Sequence, residues 1–270
     1  KCHYCGYEMG MPSKCPSCDS KKIKQFGTGT QKIETELLNR IPDARIIRMD
    51  QDTTSRKGAH EQLLKRFEDG EADILLGTQM IAKGLDFPNV TLVGVLAADA
   101  TLGMPDFRAT ERTFQLVTQV AGRAGRGKLP GEAYVQTYNP EHYVIETASE
   151  HDYEAFYEQE MRLRQVGTHP PYWYVTLVTI AAENPLVAQT EAEQFAEDFM
   201  NMHIDQSRLN GPMPAPLSKL KNMYRYQLFI KTKQPESLYP ALATLQQARA
   251  KAISKKEYQL SIDVNPYVFM

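Results

Sequence analysis

No cysteine occurs after residue 18, no tryptophan other than Trp173, and no apolar run long enough for a membrane span. The longest such run, VTLVGVLAADA, reaches little more than half of the roughly 20 residues that a bilayer-spanning helix needs. A membrane partner is therefore not expected. The phosphate cradle G-x-x-x-x-G-K-[ST] is missing from all 270 residues, which excludes a self-contained nucleotide site of that kind. No basic start leads into an apolar stretch, so nothing reads as a secretory signal. The sequence opens at Lys1 rather than Met, one residue before a cysteine, as if cut from within a longer protein. Internal repeats and low-complexity segments are lacking as well. Cysteines confined to one end argue against a disulfide framework and for a reducing, cytoplasmic setting.

What is present is unevenly distributed. The net charge of −2 announces no polyanion partner, yet Leu217 to Lys233 holds five basic residues and no acidic one. Glu191 to Asp205 holds five acidic residues and neither lysine nor arginine. Local asymmetry of this kind bears on partner choice more than the total does.

The length suffices for two domains. From about residue 22 to 140, helical periodicity in TQKIETELLNRI, AHEQLLKRFEDG and ATERTFQLVTQV alternates with short apolar strands in ARIIRMD, ADILLGT, VTLVGVLA and EAYVQTY. That order predicts an α/β domain, with a mostly parallel sheet and helices on both faces. Residues 141–168 read as a helical linker, one helix over HYVIETASEHDYEAFYEQEMRLRQVG. THPPYW ends it. Residues 169–270 read as a small α+β domain, with strands in YVTLVTIAA, YRYQLFIKT and YQLSIDVNP. Its helices are LVAQTEAEQFAEDFMNM and SLYPALATLQQARAKAI. A short edge strand in LNGPMPAP would complete β-α-β-β-α-β, a ferredoxin-like sandwich. Trp173 is expected in the core, and the six scattered histidines lack ligand spacing.

Three clusters carry chemistry. Cys2-x-x-Cys5 and Cys15-x-x-Cys18, within a segment of residues 1–21, are two knuckles suited to tetrahedral zinc. Spacing alone would assign all four thiolates to one ion. In LLGTQMIAKGLDFPNV, at the C-terminal end of a strand where parallel sheets bind ligands, Thr78 can donate to a phosphate and Lys83 offers a point charge. Gly84 permits close approach, and Asp86 can accept from a sugar hydroxyl or orient an arginine. In QVAGRAGRG, Arg123 and Arg126 each follow a glycine, and guanidinium forks of this kind prefer phosphates. The basic run also interleaves Lys219, Lys221 and Arg225 with Tyr224, Tyr226 and Phe229. Such a run suits single-stranded nucleic acid. A solvated strand with a half-buried tyrosine face explains it equally well.

From Gly77 to Arg126 the sequence resembles motifs V and VI of superfamily 2 helicases. More narrowly, it resembles the primosomal replication-restart helicases, which GTGTQKIETEL, RMDQDTT, CHYCGY, CPSC and IDVNP also resemble. The resemblance implies a RecA-like second helicase lobe at the C-terminal part of a larger enzyme. Arg123 and Arg126 would reach the γ-phosphate of ATP with Mg²⁺ held by a first lobe, Gln119 would help sense that nucleotide, and Gly84 and Asp86 would flank it. Thr78 and Lys83 would touch the DNA strand, as would Lys219, Lys221 and Arg225. The implied activity is 3′–5′ unwinding at stalled forks. Implied partners are forked and single-stranded DNA, the single-stranded-DNA-binding protein and other primosome proteins. The zinc pattern of the family is nested, with two ions per intact protein. It assigns Cys2 and Cys5 to one ion, Cys15 and Cys18 to the other. Another superfamily 2 translocase, or a non-enzymatic zinc-containing binding module, is the alternative class.

Overall fold

The computed structural model describes residues 19, 29–78, 81, 87–104, 106–122, 124–125 and 130–267. These divide into two compact units, one holding residues up to 104 with 108–159, the other holding 106–107 with 160–267. The two cysteine pairs, with Lys83, Gly84, Asp86, Arg123 and Arg126, lie outside the described residues.

In the N-terminal unit, α1 (Thr30–Arg40) leads to β1 (Ile46–Met49), and α2 (Ala59–Glu68) leads to β2 (Ile74–Gly77). The strands pair in parallel, Ile46 opposite Ile74 and Met49 opposite Gly77. Leu63, Leu64 and Phe67 recur on one face of α2 at helical spacing. That face covers the buried Ile47, Met49 and Ala72. A second parallel pair joins β3 (Leu92–Val95) to β4 (Glu132–Val135). Between them run α3 (Asp99–Leu102) and α4 (Ala109–Ala121). The α/β class with parallel pairing is therefore present, as two two-stranded ladders among the described residues.

Residues 143–166 form two helices, α5 (Tyr143–Ser149) and α6 (Tyr153–Val166), rather than one. His151 takes φ 56°, which no helix accommodates. Asp152 then caps α6, accepting from Ala155 N at 2.9 Å. A cap of this kind satisfies one of the free N–H groups at a helix start. Phe114 and Val117 of α4 pack with Val144, Ala148 and Phe156 from these helices. Phe114 and Phe156 stack at 4.1 Å.

The C-terminal unit runs β5 (Tyr174–Ala182), α7 (Pro185–Asn201), β6 (Ser207–Leu220) and β7 (Met223–Thr232). It ends with α8 (Pro235–Ala248), α9 (Ala250–Ser254) and β8 (Gln259–Val264). The four strands form an antiparallel sheet in the order β6-β7-β5-β8. Strand alternation sends Val178, Ile180, Leu228 and Ile230 to one face. There they are fully buried against Phe195, Phe199, Leu238, Leu242 and Leu245 of α7 and α8. Asn184 caps α7 through Leu186 N, with Pro185 in its first turn, both favoured at a helix start. Strand β6 is longer than the short edge strand expected, and its ladder shifts register twice. It pairs on one side only, so Pro212, Pro214 and Pro216 are tolerated there. Trp173 is half-buried at the start of β5 instead of in the core. Among the described residues, no helix is long and apolar enough to cross a membrane.

Candidate functional site

Strand β2 ends at the first candidate. A Cβ added at Gly77 would lie 2.6 Å from the Met49 carbonyl and 2.8 Å from Ile81 Cγ2. Only glycine lets β2 close on β1 here. Thr78 follows, exposed, with its carbonyl accepting from Ile81 N at 3.1 Å.

Beside it, at the end of β1, lies a residue that sequence reasoning misses. Asp50 is 8% exposed and accepts from the Thr30 hydroxyl at 2.6 Å, Thr53 N at 2.9 Å and Asp52 N at 3.1 Å. Arg48 Nε lies 2.9 Å from Asp50 Oδ2 but off the hydrogen-bonding axis, so that contact is electrostatic. Its Nη1 donates to Glu34 at 2.8 Å. The Thr30 hydroxyl, the Thr53 donors and the Arg48 charge together hold the Asp50 carboxyl below its ordinary range, against the opposing effect of burial. The network pins α1 and the 51–54 turn at one end of β1.

Asp50→Asn should therefore destabilise the N-terminal unit by about 2–4 kcal/mol at neutral pH. Because the folded pKa is depressed, this stabilisation is complete above the unfolded value of about 3.9. It is lost as pH falls through the folded value. Chemical denaturation of both proteins across pH should show the difference closing on the acid side, and a pH-independent difference would remove the charge from the account.

The second candidate is the end of α4. Gln119 is exposed there. Gly122 N bonds Thr118 O at 3.0 Å, and Gly125 N bonds Val90 O at 3.0 Å. Gly125 takes φ +73°, and a Cβ on it would meet Gly131 N at 2.5 Å. The Gly-Arg-Ala-Gly-Arg pattern thus has a backbone reason at its second glycine. No hydrogen bond or ion pair joins Thr78 to Gln119 among the described residues.

The third candidate is the β6–β7 hairpin. Lys221 and Asn222 both have positive φ, 48° and 65°, the two-residue turn that matches strand twist. Lys221 and Arg225 line one cavity of about 550 Å³, with Thr179, Gln259, Ser261 and Asp263. Lys219 is not on it. It lies over the Tyr224 ring at 4.6 Å. Tyr224 and Tyr226 pack against the helix-covered core, and Tyr226 donates to Gln189 at 3.3 Å. The tyrosine face is therefore packed, and it is no platform for bases.

Among the described residues, no group of three His, Cys, Asp or Glu side chains could hold a metal ion.

Comparison with known proteins defines the class first. Residues 18–128 match the helicase conserved C-terminal domain, and residues 165–267 match the primosomal protein N C-terminal domain. The chain is 53% identical over 270 residues to replication restart protein PriA of Bacillus subtilis, covering all of this chain and 34% of that one. With the Synechocystis protein of that name it shares 42% over 268 residues, covering 98% and 31%. With the Haemophilus influenzae protein it shares 39% over 266 residues, covering 98% and 36%. The chain belongs to the replication restart protein PriA family. It spans about a third of the length of these curated relatives.

Proposed function

We propose that the chain supplies the second lobe and C-terminal domain of an ATP-dependent 3′–5′ DNA helicase of replication restart. That enzyme would recognise stalled forks, unwind DNA and promote primosome assembly in the cytoplasm. The observation that carries this is one chain holding both a helicase C-terminal match and a primosomal C-terminal match. In this reading the chain has four parts: a zinc-binding segment to residue 21, a RecA-like lobe to 140, a helical linker to 168, then a ferredoxin-like domain. The β-α-β-β-α-β order around four antiparallel strands supports the last of these.

In this reading Arg123 and Arg126 contact the γ-phosphate of ATP, whose hydrolysis supplies the free energy of stepping. Gln119 relays its presence, with Gly84 and Asp86 beside the nucleotide. Thr78 and Lys83 hold the strand backbone, so closing and opening the cleft moves the lobes along DNA. Cys2 and Cys5 ligate one zinc, and Cys15 and Cys18 ligate another, in the intact protein. DNA is joined as partner by the single-stranded-DNA-binding protein and other primosome proteins. With no phosphate cradle in its sequence, this chain by itself should not hydrolyse ATP.

Lys221 and Arg225 share a cavity, which supports a phosphate-contacting surface there. Weak binding of single-stranded oligonucleotide is expected, falling steeply with salt. Replacing Lys219, Lys221 and Arg225 by alanine should lower both affinity and salt slope, the slope by about 2. Lys219→Ala alone should do little, since its ammonium is engaged by Tyr224. Anisotropy titrations at several salt concentrations decide it. Unchanged binding in the triple variant would move the DNA surface to Thr78 and Lys83.

A further inference from the structure

At the other end of β7 from Arg225, two cations lie over the single tryptophan, and a third stands opposite one of them in the β6–β7 ladder. The Arg208 guanidinium lies 5.1 Å from the centre of the Trp173 ring, and the Lys233 ammonium 5.4 Å. Arg208 faces Lys231 across the β6–β7 ladder. Lys231 Nζ is aimed by the Gly167 carbonyl at 3.0 Å and the Thr168 hydroxyl at 3.4 Å. Among the described residues, none of these three cations has a carboxylate partner. Unneutralised positive charge so close together favours an anion.

A cavity of about 220 Å³ opens beside them, lined by Phe107, Phe229, Val175, His169, Asn210, Lys231 and one carboxylate, Asp106. Its flattest wall is a stack, His169 on Phe107 with centres 5.1 Å apart and planes 16° apart. Arg164 lies 5.2 Å from the centre of the same phenyl ring. Burial and the charges of Lys231 and Arg164 hold the imidazole of His169 below its ordinary pKa, so at neutral pH it stacks as a neutral ring. Asn210 makes no side-chain hydrogen bond among the described residues. The volume falls below the range of about 300–1,000 Å³ for drug-sized ligands, enough for one planar ring system and its substituents. Flat apolar walls, one uncommitted amide and adjacent cations together fit a nucleobase carrying phosphates. Phe229 also stands on a central strand of a four-stranded sheet, where single-strand readers place base-stacking aromatics.

We propose that this corner binds one unstacked nucleotide of a single strand. Its base enters the cavity against Phe229 and the Phe107–His169 stack, with the Asn210 amide on its edge. Its flanking phosphates lie on Arg208, Lys231 and Lys233. The proposal rests on the DNA reading above and extends it to a second contact. Six residues of β7 separate Arg225 from Lys231, about 20 Å along the strand, with the buried Gln227 between them on the same face, so the two contacts are separate.

Trp173 reports on the site directly. The 270-residue chain is titrated with unlabelled ten-residue oligo-dT, an abasic strand of equal phosphate number, a ten-pair duplex, and dTMP. In parallel, anisotropy of a labelled oligo-dT measures total binding. Oligo-dT should change Trp173 emission, and the abasic strand, the duplex and dTMP should each bind at least fivefold more weakly by that signal. Asn210→Ala and Lys233→Glu, both at exposed positions, should weaken oligo-dT binding by fivefold or more with unchanged melting temperature. Equal affinity for the abasic strand or the duplex overturns the base pocket, and equal affinity for dTMP overturns the strand assignment. Binding by anisotropy with silent Trp173 and unaffected variants removes this site while the DNA reading stands. Loss of all binding removes both.

Discussion

In an intact enzyme, Arg126→Ala and Arg123→Ala should each lower DNA-stimulated kcat by about 10² while leaving nucleotide affinity nearly unchanged. The reasoning starts from charge. Phosphoryl transfer is catalysed mainly by positioning and by stabilising negative charge in the transition state, and an arginine reaching in from another lobe acts at that moment. Ground-state contacts would come from a phosphate cradle, which these 270 residues lack. Removing an arginine therefore acts on kcat and spares binding. The expected loss is modest for a finger because the two residues are three positions apart, and each partly covers for the other. Lysine should rescue neither position, since an ammonium cannot reproduce the planar fork. The deciding data are kcat for DNA-stimulated hydrolysis and a nucleotide dissociation constant for each variant. Two single variants with near-normal kcat would remove the γ-phosphate role and leave the glycines as packing residues alone.

Much of the fold was readable from period and composition, and the failures have a common physical origin. The spacing of Leu63, Leu64 and Phe67 announced α2, and the apolar run Val175–Ala182 announced β5. Both patterns are local. The break at His151 was invisible because the periodicity on either side continues, and only Asp152 hints at a new start. Arg249 likewise divides α8 from α9 while donating to the Leu245 carbonyl and pairing with Asp198, 51 residues away in sequence. Strand β6 was hidden by its prolines, which an edge position excuses. Trp173 departs from expectation for the opposite reason. Its type suggests burial, but the groups over its ring, Arg208 and Lys233, lie far along the chain. Of the candidate residues, Lys221 and Arg225 meet at one cavity and Lys219 does not. Alternation along β7 foretold two faces without saying which one the helices cover.

Gly125→Ala should strongly destabilise the N-terminal unit. At φ +73° an L side chain costs about 1–2 kcal/mol. The added carbon would also lie 2.5 Å from Gly131 N and 3.0 Å from its Cα, a contact with backbone that no rotamer change relieves. Overpacking of that kind typically adds about 1–3 kcal/mol, so a combined loss of roughly 2–4 kcal/mol is expected. For a unit of this size that lowers the melting temperature by on the order of 10 °C. Gly122→Ala is the control. Its Cβ would lie 3.3 Å from the Thr118 carbonyl and 3.9 Å from that of Gln119, at φ −68°, so a change below about 1 kcal/mol is expected. The two units can be followed separately, because Trp173 belongs to the C-terminal one. Far-ultraviolet circular dichroism should show an early transition in Gly125→Ala that Trp173 fluorescence does not follow. The same substitution in the intact enzyme then separates fold from chemistry. A variant that melts like the wild type but has lost hydrolysis would mean that Gly125 serves close approach of a ligand. One that melts early, with activity lost in proportion to the unfolded fraction, places its role in holding the end of α4 against Gly131.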